Sequence, residues 1–169
     1  MRGDGNGFTT EHRTLFSGIE AVAKILIVDD DPAVRATIQL LLERAGHSVV
    51  AAGDGRNGLA TFEAGDFDLL LLDIFMPGMD GIETMRKVHQ RAPHIPIVVI
   101  SGNPILADTG KAPDFLTMAT KLGAISSLQK PFKPAALLDA VTNCLEAAKH
   151  ASSPSSIAAG SVRRDGHAG

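Results

Sequence analysis

Five short apolar runs, at residues 25–28, 49–52, 69–72, 97–100 and 125–129, recur along the chain, each followed by a stretch of helical periodicity. A strand with one wet face alternates apolar and polar residues, whereas ILIV at 25–28 and LLLL at 69–72 are apolar at every position. Such runs suit strands covered on both faces. The stretches at about 32–45, 55–64, 81–91, 114–122 and 134–148 supply that cover as helices. The pattern therefore predicts an α/β fold with a doubly wound parallel sheet. Pro32 suits the first position of a helix whose face carries Val34, Ile38, Leu41, Leu42 and Ala45 and which Gly46 ends. Asp80 or Gly81 opens the third helix. No repeat of fixed period accompanies the alternation, so a solenoid is not indicated.

A chain of 169 residues holds one domain with a sizeable core. Residues 24–148 make up that domain, 1–23 read as a flexible N-terminal extension, and the Ser-, Ala- and Gly-rich stretch 149–169 reads as a disordered tail. With 16 Lys and Arg against 19 Asp and Glu, the net charge of -3 offers no basic footprint for nucleic acid. The single Cys144 excludes an internal disulfide and a cysteine-based zinc site. No apolar stretch approaches the roughly 18 residues of a membrane span, and no signal pattern opens the chain. A cytoplasmic protein without membrane contact is the expectation.

Chemistry-bearing groups gather at the ends of the runs: Asp29, Asp30 and Asp31 after the first, Asp73 after the third, Ser101 after the fourth and Lys130 after the fifth. Ligands of open parallel sheets bind beyond the carboxyl ends of the strands, so these groups meet at one edge. One aspartate could simply cap a helix. Crowded carboxylates persist when a cation sits among them, and the set reads as an oxygen-ligand site for Mg²⁺ with a lysine alongside. Asp73, followed by the turn-rich MPGMDG, can then act as a nucleophile toward phosphorus.

Ser101 alone is a weak signal, since Ser-Gly-Asn is ordinary turn chemistry. Lys130 precedes Pro131, which keeps it off a helix face. Cys144 falls in register with Leu137, Val141, Leu145 and Ala148 and reads as a core residue. His47, His89 and His94 show no metal spacing and read as surface or element-end residues.

Taken in order, ILIVDDDP, LLLLDIFMPGMDG, VVISG and LQKPF resemble the receiver domain of two-component response regulators. The resemblance implies a flavodoxin-like (βα)5 three-layer sandwich with sheet order 2-1-3-4-5. It makes Asp73 the phosphoacceptor of a phosphorelay, Asp29 and Asp30 the acidic pair, Lys130 the family's lysine and Ser101 the switch hydroxyl. It further implies that Asp30, Asp73 and the Phe75 carbonyl ligate Mg²⁺, with Asp29 acting through water and Asp31 outside that shell. The Lys130-Pro131 peptide is expected to be cis, and the Phe75 ring to lie over the path of a hydrolytic water.

Such a protein is a phosphoprotein that carries an aspartyl phosphate and is not an enzyme in its own right. Its partners would be a histidine kinase or histidine phosphotransfer protein and a downstream protein. The latter reads the face built from the 114–122 helix, the fifth strand and the 134–148 helix. Direct nucleic-acid binding is not expected, and the chain would be a monomer or weak homodimer.

The chain departs from the family pattern in three places. Ser127 stands where receivers usually carry Tyr or Phe, three residues before the lysine. The segment from Ser101 to Lys130 is longer than usual, with Pro104, Gly110 and Pro113 in the excess. No effector domain follows, so the chain reads as a stand-alone receiver.

Two other classes compete with this reading. A haloacid-dehalogenase-like phosphatase would use Asp29 and Asp31 as its Asp-x-Asp motif, with Ser101 and a later lysine. It lacks the second acidic pair that holds its metal, since within the domain only Asp139 and Glu146 follow Lys130. A flavin-binding domain would need a hydroxyl- and Gly-rich phosphate loop where three aspartates stand.

Overall fold

The computed structural model describes residues 22–76, 81–102 and 124–152. Most of both terminal extensions, residues 77–80 and the long segment at 103–123, with its expected helix and Asn103, lie outside the described residues. Five strands, β1 (Lys24–Val28), β2 (Ser48–Ala52), β3 (Leu69–Asp73), β4 (Ile97–Ser101) and β5 (Ala124–Gln129), form one sheet. The four described helices are α1 (Pro32–Arg44), α2 (Gly55–Glu63), α3 (Gly81–Arg91) and α4 (Pro134–Ser152). The strand order is β2-β1-β3-β4-β5 and every pairing is parallel. This is the flavodoxin-like order.

Period-two alternation splits the sheet's side chains between two cores. Ile25 and Ile27 of β1 and Leu69 and Leu71 of β3 face Ile38 and Leu42 of α1 and Leu137, Val141 and Cys144 of α4. Leu26, Val28, Leu70 and Leu72 face Met85 and Val88 of α3. All eight strand residues are fully buried, each contributing about 2 kcal/mol of transfer free energy. That double burial is why the runs carry no polar residue.

Pro32 stands at the first turn of α1, and Gly46 closes the helix at φ 93, a left-handed conformation that a side chain would disfavour. Ala45 is exposed at the C-cap, outside the buried face expected for it. The last helix continues to Ser152 rather than ending at 148, because Ala147, Ala148 and Ala151 propagate it and Lys149 and His150 suit its negative end. β5 differs from the other strands. Its inward residues are only half-buried, Ile125, Ser127 and Gln129 are exposed, and its register with β4 shifts beside Ile97. No helix among the described residues is long and apolar enough to cross a membrane.

Candidate functional site

Register assembles the site. Val28 pairs with Leu72, so the residues that follow, Asp29 and Asp73, are neighbours at the carboxyl edge. Asp73 in turn pairs with Ile100, and Ser101 with Gln129, which brings Lys130 to the same edge from the far side. The Lys130 backbone N–H donates to the Ser101 carbonyl at 2.7 Å, and the Lys130-Pro131 peptide is cis.

The three consecutive aspartates take three different places. Asp31 is the N-cap of α1: its carboxylate accepts from the N–H groups of Ala33 at 2.8 Å and Val34 at 3.2 Å. Asp29 is fully buried, and its Oδ1 accepts from the Asp31 N–H at 2.9 Å. Asp30 is exposed. One carboxylate oxygen from each of Asp29, Asp30 and Asp73 can be chosen so that all lie within 4.8 Å of one another. Ser101, half-buried at the end of β4, is tied to this cluster through its backbone contact with Lys130.

Asp73 has both oxygens engaged. Oδ1 accepts from the Phe75 N–H at 2.9 Å, and Oδ2 lies 2.7 Å from the Lys130 ammonium. That ammonium is also 2.7 Å from Asp29 Oδ2, a buried atom that meets it as an ion pair and has no hydrogen bond of good geometry. Burial pushes the Asp29 carboxyl above its ordinary range, Lys130 and the Asp31 amide pull it back part of the way, and the Asp73 charge adds to the rise. For Lys130 burial acts downward, yet the two carboxylates outweigh it and hold the ammonium above the ordinary lysine value. Three carboxylates against one ammonium leave the cluster short of positive charge. A hard cation with oxygen ligands fits this donor set and its under-satisfied buried oxygen.

The approach of α3 to this loop depends on Gly81. A Cβ there would lie 2.3 Å from the Asp73 carbonyl oxygen and 2.4 Å from the Ile74 Cα, and both are backbone atoms that cannot swing aside. Gly81→Ala is therefore expected to cost about 3 kcal/mol, read from the urea midpoint, with the resonances of Asp73 and Phe75 shifted. An unchanged midpoint would mean that α3 retreats freely.

Arg35 is a contact the sequence reading did not foresee. Its Nη1 donates to the Asp29 carbonyl at 2.6 Å. The available signal was a cation in the first turn of a helix, where the macrodipole disfavours positive charge. As expected, Cys144 is buried in the core, and among the histidines His47 and His89 are half-buried and His94 exposed.

The family model for the response regulator receiver domain matches residues 25–142. The chain belongs to that family. It is 35% identical over 132 residues to the C4-dicarboxylate transport transcriptional regulatory protein DctD of Pseudomonas aeruginosa, covering 78% of this chain and 27% of that one. It is 33% identical over 132 residues to the transcriptional regulatory protein CseB of Streptomyces avermitilis, covering 78% of this chain and 53% of the relative. The chain thus spans from about a quarter to about half the length of these regulators. Among solved structures, a CheY-like receiver domain protein from Methanospirillum hungatei superposes with a TM-score of 0.69 at 30% identity, over 78% of this chain and 99% of that one. The chain carries the receiver function of two-component response regulators.

Proposed function

We propose that Asp73 accepts the phosphoryl group, with Lys130 and Ser101 as its partners and Asp29 and Asp30 as the acidic pair. The observation that carries this reading is the position of the Lys130 ammonium, 2.7 Å from both Asp73 Oδ2 and Asp29 Oδ2. A group so placed neutralises charge arriving at either carboxylate. Asp30, Asp73 and the Phe75 carbonyl would hold Mg²⁺, with Asp29 at one remove. Bound there, the ion supplies positive charge that offsets and orients the phosphoryl oxygens.

The donor is a phosphohistidine of a kinase or phosphotransfer protein. An Asp73 oxygen forms a new bond to phosphorus as the P–N bond breaks, and the electron pair leaves with the imidazole, which takes up a proton. Phe75 N–H holds the other oxygen and so orients the attack. The product is an acyl phosphate, toward which the Lys130 ammonium and the Ser101 hydroxyl turn. An apolar cavity of about 470 Å³, lined by Ala33, Val34, Thr37 and Phe132, adjoins Lys130 and gives a donor protein a surface beside the reactive edge. Output passes to a downstream protein through the surface that includes β5 and α4, as one of two pre-existing arrangements is favoured. Ser127, exposed on β5 opposite Val99, has no ring to turn inward, so that transition does not use an aromatic switch.

Acetyl phosphate with Mg²⁺ should add one phosphoryl group, and borohydride reduction of the acyl phosphate should leave homoserine at position 73. Homoserine at any other aspartate would refute the assignment.

Phe75 is 36% exposed directly beside the acceptor. An apolar ring cannot align an attacking water, whereas an amide can. The phosphoryl group should therefore decay roughly tenfold faster in Phe75→Asn than in wild type. Its loss after removal of the phosphodonor, followed in Mg²⁺ buffer, decides the point, and equal lifetimes would show that the ring does not shield the phosphate.

A further inference from the structure

We infer that Arg35 positions the Asp29–Asp30 acidic pair and thereby sets the affinity of the site for Mg²⁺, an inference that rests on the metal-site reading above. A guanidinium in the first turn of α1 opposes the helix macrodipole, so something else must hold it there. The nearby aspartates are obvious candidates, yet among the described residues Arg35 forms no ion pair with them. It donates instead to the backbone carbonyl of Asp29 at 2.6 Å. On the other side of the same residue, the Asp29 N–H donates to the Ala52 carbonyl at 3.2 Å. Gly53 follows Ala52, and a Cβ on it would meet the Arg35 Nη1 at 3.4 Å, so the guanidinium occupies the space beside this glycine.

Asp29 is thus held on both sides, its N–H by Ala52 and its carbonyl, in the peptide it shares with Asp30, by Arg35. That peptide determines where two carboxylates point: Asp29, buried against Lys130, and Asp30, exposed at the mouth of the cluster. Mutual repulsion would drive the two apart if the backbone between them could rotate. Arg35 resists that rotation without itself contacting a carboxylate. It is a positioning residue, acting through the backbone as outer groups act on metal ligands elsewhere.

Calorimetric Mg²⁺ titration of the full chain tests this. Wild type should bind, and Asp30→Asn should not. Arg35→Ala should raise the dissociation constant about tenfold, while Arg44→Ala, an exposed residue in the last turn of the same helix, should leave it unchanged. In labelling from acetyl phosphate, Arg35→Ala should need correspondingly more Mg²⁺ for half-maximal rate and still reach the wild-type rate at saturation. A merely structural role would lower the saturating rate as well.

Without metal, the Asp29 amide should exchange with deuterium faster in Arg35→Ala while amides within β3 and β4 keep their protection. If Arg35→Ala does not fold, Arg35→Lys carries the same test, because an ammonium keeps the charge but cannot hold the carbonyl and cover Gly53 together. Absence of Mg²⁺ binding in wild type would sink the metal-site reading and this inference with it. A wild-type dissociation constant in the Arg35 variant, with wild-type binding intact, would overturn this inference alone.

Discussion

Lys130→Met is expected to destabilise the metal-free protein by about 3 kcal/mol at neutral pH, toward the low end for a broken buried ion pair. The side chain keeps the aliphatic stem but removes the ammonium shared by Asp29 and Asp73, whose own side chains are 0% and 4% exposed. The lower end applies because the Lys130 side chain is itself 18% exposed, so water can enter where the ammonium stood.

The pH dependence of this loss has a definite sign. Asp29 already has a raised pKa beside the lysine, and removing the lysine raises it further. The folded state then binds more protons than the unfolded state across the interval between the two values. Stability must fall as pH rises through that interval and recover on acidification. In wild type, the Lys130 contribution is fully present below the ordinary lysine value and is lost only as pH rises through the higher folded value. Mg²⁺ should stabilise the variant, by about 2.7 kcal/mol at a hundredfold excess over its dissociation constant. Urea midpoints across pH, with and without Mg²⁺, provide the check. A variant as stable as wild type at neutral pH would show that the two carboxylates do not depend on the ammonium.

Asp73→Asn should abolish labelling by acetyl phosphate, a fall of at least about a thousandfold, because an amide oxygen is a poor nucleophile toward phosphorus. The fold should survive. An asparagine oxygen can still accept from the Phe75 N–H, and removal of one charge from the crowded cluster offsets the weakened contact with Lys130. Intact protein mass after incubation with phosphodonor and Mg²⁺ reads the first effect, and thermal unfolding reads the second. Residual labelling at the wild-type rate would move the acceptor to another carboxylate. Labelling lost together with the fold would remove the chemical meaning of the result.

The layered sheet and the identity of its edge residues were legible in the chain because both depend on short-range pattern. Runs such as 25–28 and 69–72 are apolar throughout only when covered on both faces, and a group that ends such a run must emerge at the strand's carboxyl end. Asp29, Asp30, Asp73, Ser101 and Lys130 could therefore be named before their neighbours were known. The half-buried β5, with its mixed AISSLQ, shows where that signal weakens, at a sheet edge.

Three consecutive aspartates look alike in sequence, and only the tertiary structure separates their roles. Asp31 turns to cap α1, Asp29 turns inward to Lys130, and Asp30 stays exposed, because successive residues leaving a strand diverge with the backbone. The meeting of Lys130 with Asp73, 57 positions apart, required the register of β3, β4 and β5 to be set. Gly81 against the Asp73 carbonyl and Arg35 on the Asp29 carbonyl belong to the same class. These contacts are invisible to periodicity and propensity, which act within a few residues. Packing two helical layers on one sheet decides which distant atoms come within reach.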